Sequence, residues 1–443
     1  MKIIKSLYLK NRLFVAIGLV ILLFIIGFEF AALIPVAKFL LMVVLAVFLV
    51  DLLLLFGVKK GVYGRRICPD KLSNGDENQL QIYFENYYNF SVYASVIDEL
   101  PAQFQKRDLH FDLMVKGRET KILNYHLRPV KRGEYTFGAV NVFVSGALGL
   151  IARRFKFSQD TTVPVYPSFI QMRKYELLAI SNNLKEFGIK KIRKIGHSME
   201  FEHIKEYVVG DDFRTVNWKA TARRGDLMVN NYQDEKSQQV FCLIDKGRVM
   251  KMPFEGMTLL DYAINASLAM SSVAIKKDDK AGLITFQHKI NTIVPASKRG
   301  IQMHNIMETL YNQKTGYKES DYSILYNTIK YKIKQRSLLI LFTNFETLSS
   351  IERQMPYLRK ISREHLLVVV FFENTTLRSL TEIKPKNIEE VYRKTIAEKF
   401  TFDKKLIVKE LRKHGIQTVL TDPENLTVNT INKYLELKAR GLI

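Results

Sequence analysis

Three short apolar runs decide the fold of the second half of the chain: VFCLID at Val240–Asp245, SLLILFTNF at Ser337–Phe345 and HLLVVVFFE at His365–Glu373. Continuously apolar runs of this length are typical of strands whose two faces are both covered. Segments with apolar residues at helical spacing lie between them, beginning with LLDYAINASLAMSSVAIKK. This alternation predicts an α/β doubly wound, mostly parallel sheet over residues 240–443, with helices on both faces.

The carboxyl ends of these strands are the places to look for a site. In open parallel sheets, ligands bind in the loops that follow the strands. The informative loops are therefore those after Ile244, Phe342 and Phe372.

The loop after the first strand holds part of a magnesium-binding pattern. A carboxylate followed by hydroxyls two and four residues later opens a metal-ion-dependent adhesion site, because alternate oxygen ligands converge on one Mg²⁺. Only Asp245 is present here, since Gly247 and Val249 have no side-chain oxygen. Ser320 and Asn344 add one hydroxyl and one amide, which with one carboxylate make a poor site. We expect no bound metal, and a structural role for Asp245 beside the two cations of its loop.

The amino-terminal region is apolar enough to enter a membrane. Residues 13–58 carry only three charged side chains, Glu29, Lys38 and Asp51. A single helix of that length would be roughly twice as long as the bilayer core is thick. We therefore expect a two-helix transmembrane hairpin within residues 1–66, in contact with the lipid bilayer through residues 13–58. A cleavable signal peptide is disfavoured, because the second apolar run follows the first at once.

Charges at the two ends of the hairpin predict its orientation. Basic side chains flank both ends: Lys2, Lys5, Lys10, Arg12, Lys59, Lys60, Arg65 and Arg66. Basic flanks stay on the cytoplasmic side, so the bulk of the chain should face the cytoplasm. Asp51 is either a functional intramembrane carboxylate or a group at a helix pair or water-accessible edge, and we favour the second interpretation.

Residues 67–166 have the pattern of an all-β domain. The run NQLQIYFENYYNFSVYASVID, from Asn78 to Asp98, alternates polar and apolar residues and is rich in aromatic and β-branched side chains. Further short runs follow, separated by turn-forming stretches. Short strands at this spacing predict a sandwich-like domain.

The region 167–239 contains an unusually charged stretch, IKEYVVGDDFRTVNWKATARRGD, at Ile204–Asp226. It includes the only tryptophan of the chain, Trp218. Glu206 and Asp211 could act as the acid and base of a hydrolase. However, cations in the same stretch lower carboxylate pKa values, which disfavours a general acid. We therefore expect a chain that is not an enzyme.

Two noncatalytic interpretations of this stretch stay open. In the first it is an ion-paired lock, in which Asp211 or Asp212 caps a short helix through Phe213–Arg224. Arg214 and Trp218 would then share a helix face, four residues apart.

In the same lock, Arg223 would turn back to Glu206 or Asp211 and hold region 167–239 against the alternating domain. In the second interpretation the stretch is a partner-binding surface, since Trp and Arg dominate interface hot spots. The two interpretations are compatible, because a rigid brace can also present side chains.

The net charge of +23 permits an anionic partner. That partner is either an anionic polymer or an anionic membrane leaflet. Four cations near the middle of the chain form a candidate phosphate patch for nucleic acid: Lys190, Lys191, Arg193 and Lys194. The patch lacks flanking aromatics and a recognition-helix pattern, so nucleic-acid binding is the alternative. Two cysteines, Cys68 and Cys242, cannot build a zinc site, and we expect no cofactor.

The stretch also carries a pattern of fixed positions. These are Phe201, Glu202, Glu206, Tyr207, Gly210, Asp211, Asp212, Arg214, Asn217, Trp218, Lys219, Ala220, Ala222 and Arg223. With a second match at Arg132–Arg154, the chain resembles the bacterial membrane proteins of the domain of unknown function fifty-eight family (DUF58).

That resemblance implies a membrane hairpin, a β-rich domain and a von Willebrand factor A-like carboxy-terminal domain. It also implies a MoxR-type AAA+ ATPase as the partner, in the assembly or maturation of other proteins, and no established enzymatic activity. We therefore expect a cytoplasm-facing adaptor or scaffold, held in the bacterial plasma membrane as a multi-pass protein. The metal position is where this chain departs from the fuller family pattern.

Overall fold

The computed structural model describes residues 5–106, 109–157, 161–180, 199–234, 237–382 and 384–443. The chain divides into two compact units, residues 1–166 and 167–443. Each unit is described by itself.

Two apolar helices lie near the amino-terminal end of the first unit. Helix α1 covers Asn11–Glu29 and helix α2 covers Ile34–Phe56, joined by a 3₁₀ turn at Ala31–Leu33. Both are long and apolar enough to cross a membrane. Pro35 lies in the first turn of α2, where its missing N–H costs no hydrogen bond. The break between the two expected passes is therefore a tight turn.

The rest of the first unit is β-rich, as the alternating pattern predicts. Its strands are β1 (Leu7–Leu9), β2 (Val62–Ile67), β3 (Leu72–Ser73), β4 (Asn78–Asn86), β5 (Val92–Asp98), β6 (His110–Val115), β7 (Thr120–Leu127), β8 (Gly133–Phe137), β9 (Val140–Ser145), β10 (Ile151–Phe157) and β11 (Thr161–Tyr166). They form three sheets, in the orders β1-β10-β9-β5-β6, β2-β4-β7 and β3-β11-β8. Along β4 every second residue is buried, so one face of that strand belongs to the core.

The boundary expected at residue 66 does not separate hairpin from sheet. Strand β1 precedes α1 and pairs antiparallel with β10, and β2 crosses the boundary itself. Arg66, expected as a basic membrane flank, is buried, and its guanidinium is paired with the carboxylate of Asp98. The Arg66 guanidinium therefore forms an ion pair within the β-rich core and is not an exposed basic flank of the hairpin.

The end of α2 is fixed in the β-rich core. The Asp51 carboxylate accepts hydrogen bonds from the backbone N–H groups of Leu150 (3.0 Å) and Ile151 (3.2 Å). Arg153 and the Tyr88 hydroxyl both donate to the carbonyl oxygen of Leu55, at 2.7 and 2.6 Å. The last carbonyls of a helix lack partners within the helix, and these side chains supply them. Asp51 is thus a structural anchor for the strand β10 segment, which differs from both roles considered for it.

The second unit is built on a six-stranded mixed sheet. Its strands are β14 (Gln239–Asp245), β17 (Lys280–Phe286), β18 (Ile290–Ser297), β19 (Leu338–Phe342), β20 (Leu366–Phe372) and β21 (Gln417–Thr421). The order is β18-β17-β14-β19-β20-β21, with only β18 antiparallel to its neighbour. The three apolar runs that open the sequence argument are β14, β19 and β20, which lie side by side.

Helices cover this sheet. They are α5 (Leu259–Lys276), α6 (Gln302–Tyr311), α7 (Tyr322–Lys332), α8 (Leu348–Glu364), α9 (Thr375–Glu382), α10 (Ile388–Lys413) and α11 (Leu426–Ala439). A small hairpin, β15 (Pro253–Phe254) with β16 (Met257–Thr258), precedes α5. Thr258 and Asp261 form a reciprocal capping box at the start of α5.

The expected linker region 167–239 carries elements of its own. It contains helix α3 (Phe169–Ile180), strands β12 (Met199–Glu206) and β13 (Met228–Asp234), and the short helix α4 (Trp218–Arg224). The candidate phosphate patch at residues 190–194 lies outside the described residues.

Candidate functional site

The signature stretch forms the turn of an antiparallel hairpin between β12 and β13. A 3₁₀ turn at Phe213–Thr215 is followed by extended backbone at Val216, which bridges to Val229. Asn217 then caps α4, because its side-chain oxygen accepts from the backbone N–H of Ala220 at 3.0 Å. The Asn217 amide also donates to the side chain of Asn230 on β13 (2.8 Å), which attaches α4 to the hairpin.

The single helix expected from Phe213 to Arg224 is therefore wrong. Val216 interrupts it because its backbone joins the β-bridge instead of a helix. Arg214 and Trp218 consequently do not share a helix face. The ring partner of Trp218 is Phe213, edge to face, with centroids 6.0 Å apart.

The carboxylates of the hairpin have local structural partners. Asp211 accepts from the ammonium of Lys205 (2.8 Å) and from the backbone N–H of Val208 (3.0 Å). The Lys205 hydrogen bond, followed by the Val208 bond, lowers the pKa of Asp211. Asp212 accepts from the backbone N–H of Arg214 at 3.0 Å, so it caps the 3₁₀ turn as expected for one of these two residues.

The predicted ion pair from Arg223 falls instead on its neighbour. Arg224 approaches Glu206 at 3.8 Å, with both side chains about two-thirds exposed (64%). Asp211 pairs with Lys205. The basic side chain near Glu206 differs from the expected one because α4 begins only at Trp218 and not at Phe213.

Two other signature residues, Tyr207 and Gly210, shape the backbone of the hairpin. Tyr207 donates its N–H to the carbonyl of Leu227 (2.8 Å) and continues the hairpin pairing beyond β12. Gly210 has φ +113°, a conformation that a residue with a side chain rarely adopts. Lys219 and Arg223 point into solvent from α4.

The tip of this hairpin exposes large apolar side chains. Val209 is 95% exposed, Trp218 64%, Val208 62% and Phe213 61%. Four exposed cations belong to the same stretch: Arg214, Lys219, Arg223 and Arg224. We call these eight residues the signature surface. The buried apolar residues Val216, Met228 and Val229 lie where the connecting segment meets the start of β13.

A buried polar cluster surrounds Asp245 at the end of β14. Its carboxylate accepts from the hydroxyls of Ser320, Thr343 (2.7 Å) and Tyr322 (3.4 Å), and from the N–H of Gly247 (2.7 Å). We call these five residues the Asp245 cluster. Burial raises the pKa of Asp245, while these four hydrogen bonds oppose the rise.

Three hydroxyls and one backbone N–H hold Asp245, where the sequence suggested the cations of its loop. Arg248 instead lies 3.7 Å from Glu319 at the surface. Asn344 does not turn toward Asp245 either, because its oxygen accepts from the ammonium of Lys404 at 2.6 Å. Within the described ranges, no group of three or more His, Cys, Asp or Glu side chains could hold a metal ion.

Gly247 has a steric role in this cluster. A Cβ added there would lie 2.3 Å from the hydroxyl oxygen of Ser320. Gly247, which lacks the hydroxyl of the metal-binding pattern, is thus a position where any side chain would displace Ser320. Tyr322 gave no sequence signal, whereas Thr343 directly follows an apolar strand at its carboxyl end, in one of the loops chosen from the sequence.

A second feature of this sheet edge is a mainly apolar cleft of about 410 Å³. Its lining includes Asn344 and Glu373, which follow β19 and β20, together with Phe400 and Lys404 of α10. Burial lowers the pKa of Lys404 to about 8, although Glu346 and Glu373 oppose this shift. The cleft lies at two of the three loops chosen from the sequence. Lys404 gave no sequence signal, because it is one lysine among many on an amphipathic helix.

Comparisons with known proteins agree with the signature. The family model described as "Protein of unknown function DUF58" matches residues 203–385. The uncharacterized protein YeaD of Bacillus subtilis is 32% identical over 131 residues, or 29% of this chain. The match spans only about a third (32%) of the length of that relative.

Solved structures give distant likenesses. BatB from Bacteroides thetaiotaomicron, a conserved hypothetical protein, is 10% identical, with 46% of this chain and 100% of that chain covered and a TM-score of 0.30. A PapD-like domain of human CEP192 is 12% identical over 25% of this chain and 87% of that one, with a TM-score of 0.19. The CARDB domain of PF1109 from Pyrococcus furiosus is 14% identical over 24% and 86%, with a TM-score of 0.18.

The family predicted from the signature residues is confirmed over residues 203–385, which match the DUF58 family model and contain the hairpin tip and the central strands.

Proposed function

We propose that this chain is a membrane-anchored adaptor or scaffold that binds a protein partner through the signature surface. The observation that carries the proposal is the exposure of Val208, Val209, Phe213 and Trp218 on the segment that connects β12 to β13. Exposed apolar groups clustered in this way mark interaction sites on soluble domains. Trp and Arg are the side chains most enriched among interface hot spots.

The rigidity of the loop supports the same proposal. Caps by Asp212 and Asn217 and the Lys205–Asp211 pair fix its backbone before any partner arrives. A preorganised surface binds with less loss of conformational entropy than a flexible one. These contacts brace the hairpin locally, and its exposed side chains remain available to a partner.

The partner we propose is a MoxR-type AAA+ ATPase, as the family resemblance implies, in the assembly or maturation of other proteins. Exposed cations among the apolar side chains suit an acidic rim on that partner. We further propose that the mixed sheet of the second unit is von Willebrand factor A-like. Its central β14 ending in a buried acid supports this.

We also propose that the chain faces the cytoplasm from the bacterial plasma membrane and is not an enzyme. The lowered pKa of Asp211 supports the second point, because a general acid must hold its proton near neutral pH. Nucleic-acid binding is the alternative function, favoured only by the net charge of +23.

Co-purification of the tagged, detergent-solubilised chain tests the partner. Trp218→Ala and Arg214→Ala should each reduce recovery of an AAA+ ATPase at least about tenfold, since hot spots cost about 2 kcal/mol or more. Tyr331→Ala, an exposed aromatic on α7, is the matched control and should leave recovery unchanged. Equal recovery with all three variants would refute the surface, provided that circular dichroism shows an intact fold.

Two further assays separate the alternatives. Steeply salt-dependent binding of nucleic acid would replace the protein partner as the function. Substrate turnover abolished by Glu206→Gln or Asp211→Asn, without loss of stability, would show a hydrolase.

A further inference from the structure

A groove of about 440 Å³ lies where the first membrane helix meets the β-rich core. Lys10 and Arg12 line it from the start of α1, and residues of β5, β6 and the β9 end line the opposite wall. All of these residues belong to the first unit, so the groove is internal to one compact body.

The height of the groove relative to a bilayer follows from α1. Apolar side chains directly after Arg12, such as Phe14 and Val15, are exposed on the helix surface. If α1 crosses the membrane, these side chains meet lipid tails. Lys10 and Arg12 then lie within about one and a half helical turns of these side chains, at the level of the lipid headgroups.

The first cation of the groove is held in place. The Lys10 ammonium donates to the Ser145 hydroxyl at 2.9 Å, and the Lys10 backbone N–H donates to the Leu150 carbonyl at 3.0 Å. Strand β1 fixes the preceding residues on β10. One Lys10 donor is thus used for positioning, and an ammonium has three.

The second cation lies against a glycine. A Cβ added to Gly149, which has φ +64°, would lie 3.1 Å from Nη1 of Arg12. The Arg12 guanidinium therefore lies close to the backbone of residue 149, where a larger side chain would block its approach. Planar guanidinium groups bind phosphate oxygens in pairs.

The remaining lining suits an amphiphile. Asp112 is the one carboxylate among the lining residues, set against two cations. Tyr93 and Met114 are exposed beside them and offer apolar surface for a glycerol backbone or the first methylenes of a chain.

We propose that this groove binds the phosphate of an anionic phospholipid, through Lys10 and Arg12. The proposal does not depend on the protein partner, but it requires that α1 enters the bilayer. Basic pockets beside membrane helices at the headgroup level are known to hold anionic lipid headgroups. The chemistry would also admit free phosphate, and the apolar wall favours the lipid.

The test uses the full chain in detergent micelles, titrated with phosphatidylglycerol, phosphatidylcholine or inorganic phosphate. Native mass spectrometry counts the retained molecules. Phosphatidylglycerol should be retained in preference to phosphatidylcholine, and the double variant Lys10→Gln with Arg12→Gln should weaken this at least about tenfold. The matched control is Lys59→Gln with Lys60→Gln, two exposed cations after α2 that do not line the groove.

Three results would overturn the proposal. They are equal loss in the control pair, equal retention of the two lipids, and retention of inorganic phosphate without phosphatidylglycerol. If the double variant loses its fold by circular dichroism, Arg12→Gln alone replaces it, since the Lys10–Ser145 bond is then intact. That single variant should still weaken phosphatidylglycerol retention severalfold, and no change would equally overturn the proposal.

Discussion

The signature hairpin and the Asp245 cluster use the same side-chain chemistry in opposite ways. In the hairpin, acids pair with cations and N–H groups only a few residues away, and the segment presents its largest apolar groups to solvent. Around Asp245, the three hydroxyls lie 75 to 98 residues away in sequence and are mostly buried; they belong to Ser320 before α7, Tyr322 at its start and Thr343 after β19. The hairpin is thus a braced surface, whereas the cluster is a long-range polar contact inside a core.

This difference predicts where substitutions destabilise the chain. An exposed polar group loses little when its partner is removed, because water replaces the partner. A buried carboxylate has no water to replace a lost hydroxyl, so it bears the full cost of desolvation.

The largest effect is expected for Thr343→Ala. This removes a donor to the Asp245 carboxylate and a hydrogen-bond partner of the Tyr322 hydroxyl, and should lower the free energy of unfolding by about 2–3 kcal/mol. Thr215→Ala, the same substitution in the hairpin, should change it by less than about 0.5 kcal/mol. Denaturant titration of the full chain in detergent, followed by circular dichroism, measures both. Equal losses in the free energy of unfolding would show that the hydrogen bonds of the Asp245 cluster contribute no more stability than the exposed ones of the hairpin.

A smaller loss is expected for Gly247→Ala. The added methyl must displace the Ser320 hydroxyl, so unfolding should become easier by about 1–2 kcal/mol. Gly300→Ala is the matched control, since a Cβ there meets nothing within 4 Å. The same denaturant titration applies. A neutral Gly247→Ala variant would mean that Ser320 is not needed beside Asp245.

The subtlest prediction concerns the two carboxylates themselves. Burial raises the pKa of Asp245, whereas the Lys205 and Val208 bonds lower the pKa of Asp211. Asp245 therefore stabilises the fold most below the ordinary carboxyl pKa, and this contribution is lost as pH rises through its folded pKa. Asp211 contributes above the ordinary pKa, and its contribution is lost as pH falls through its lowered pKa.

Carbon-13 NMR of aspartate-labelled protein measures this order. Asp245→Asn and Asp211→Asn assign the two signals by their disappearance. The Asp245 signal should titrate at higher pH than the Asp211 signal. The reverse order would contradict the contrast between a buried and a locally paired acid.

Local patterns in the sequence predicted much of the architecture. Continuous apolar runs identified β14, β19 and β20, because strands covered on both faces are apolar along their whole length. The long apolar amino-terminal run identified α1 and α2, because a membrane-spanning helix needs about 20 consecutive apolar residues. Strand β18 was not identified, since INTIVPAS mixes polar and apolar residues at a sheet edge. The extended break at Val216 was missed because a single β-bridge overrides local helix preference.

The site could be predicted only in part for a related reason. Asp245 was visible as the acid after a strand, but its partners depend on which loops the sheet brings together. Tyr322 and Thr343 join it through the order of parallel strands, which no local pattern encodes. The exposure of Trp218 likewise depends on the hairpin leaving it at the tip.

The pairing of Leu7–Leu9 with Ile151–Arg153 has a consequence for biogenesis. These residues leave the ribosome early, but the strand they pair with is translated only after both apolar helices. If the helices insert during translation, the β-rich unit cannot complete this sheet until insertion has finished. Closing so long a loop carries an entropic cost, which a preceding membrane insertion would reduce by holding the two ends at one surface. Without this pairing β10 would be an exposed sheet edge, which is a site where strands of other chains can pair.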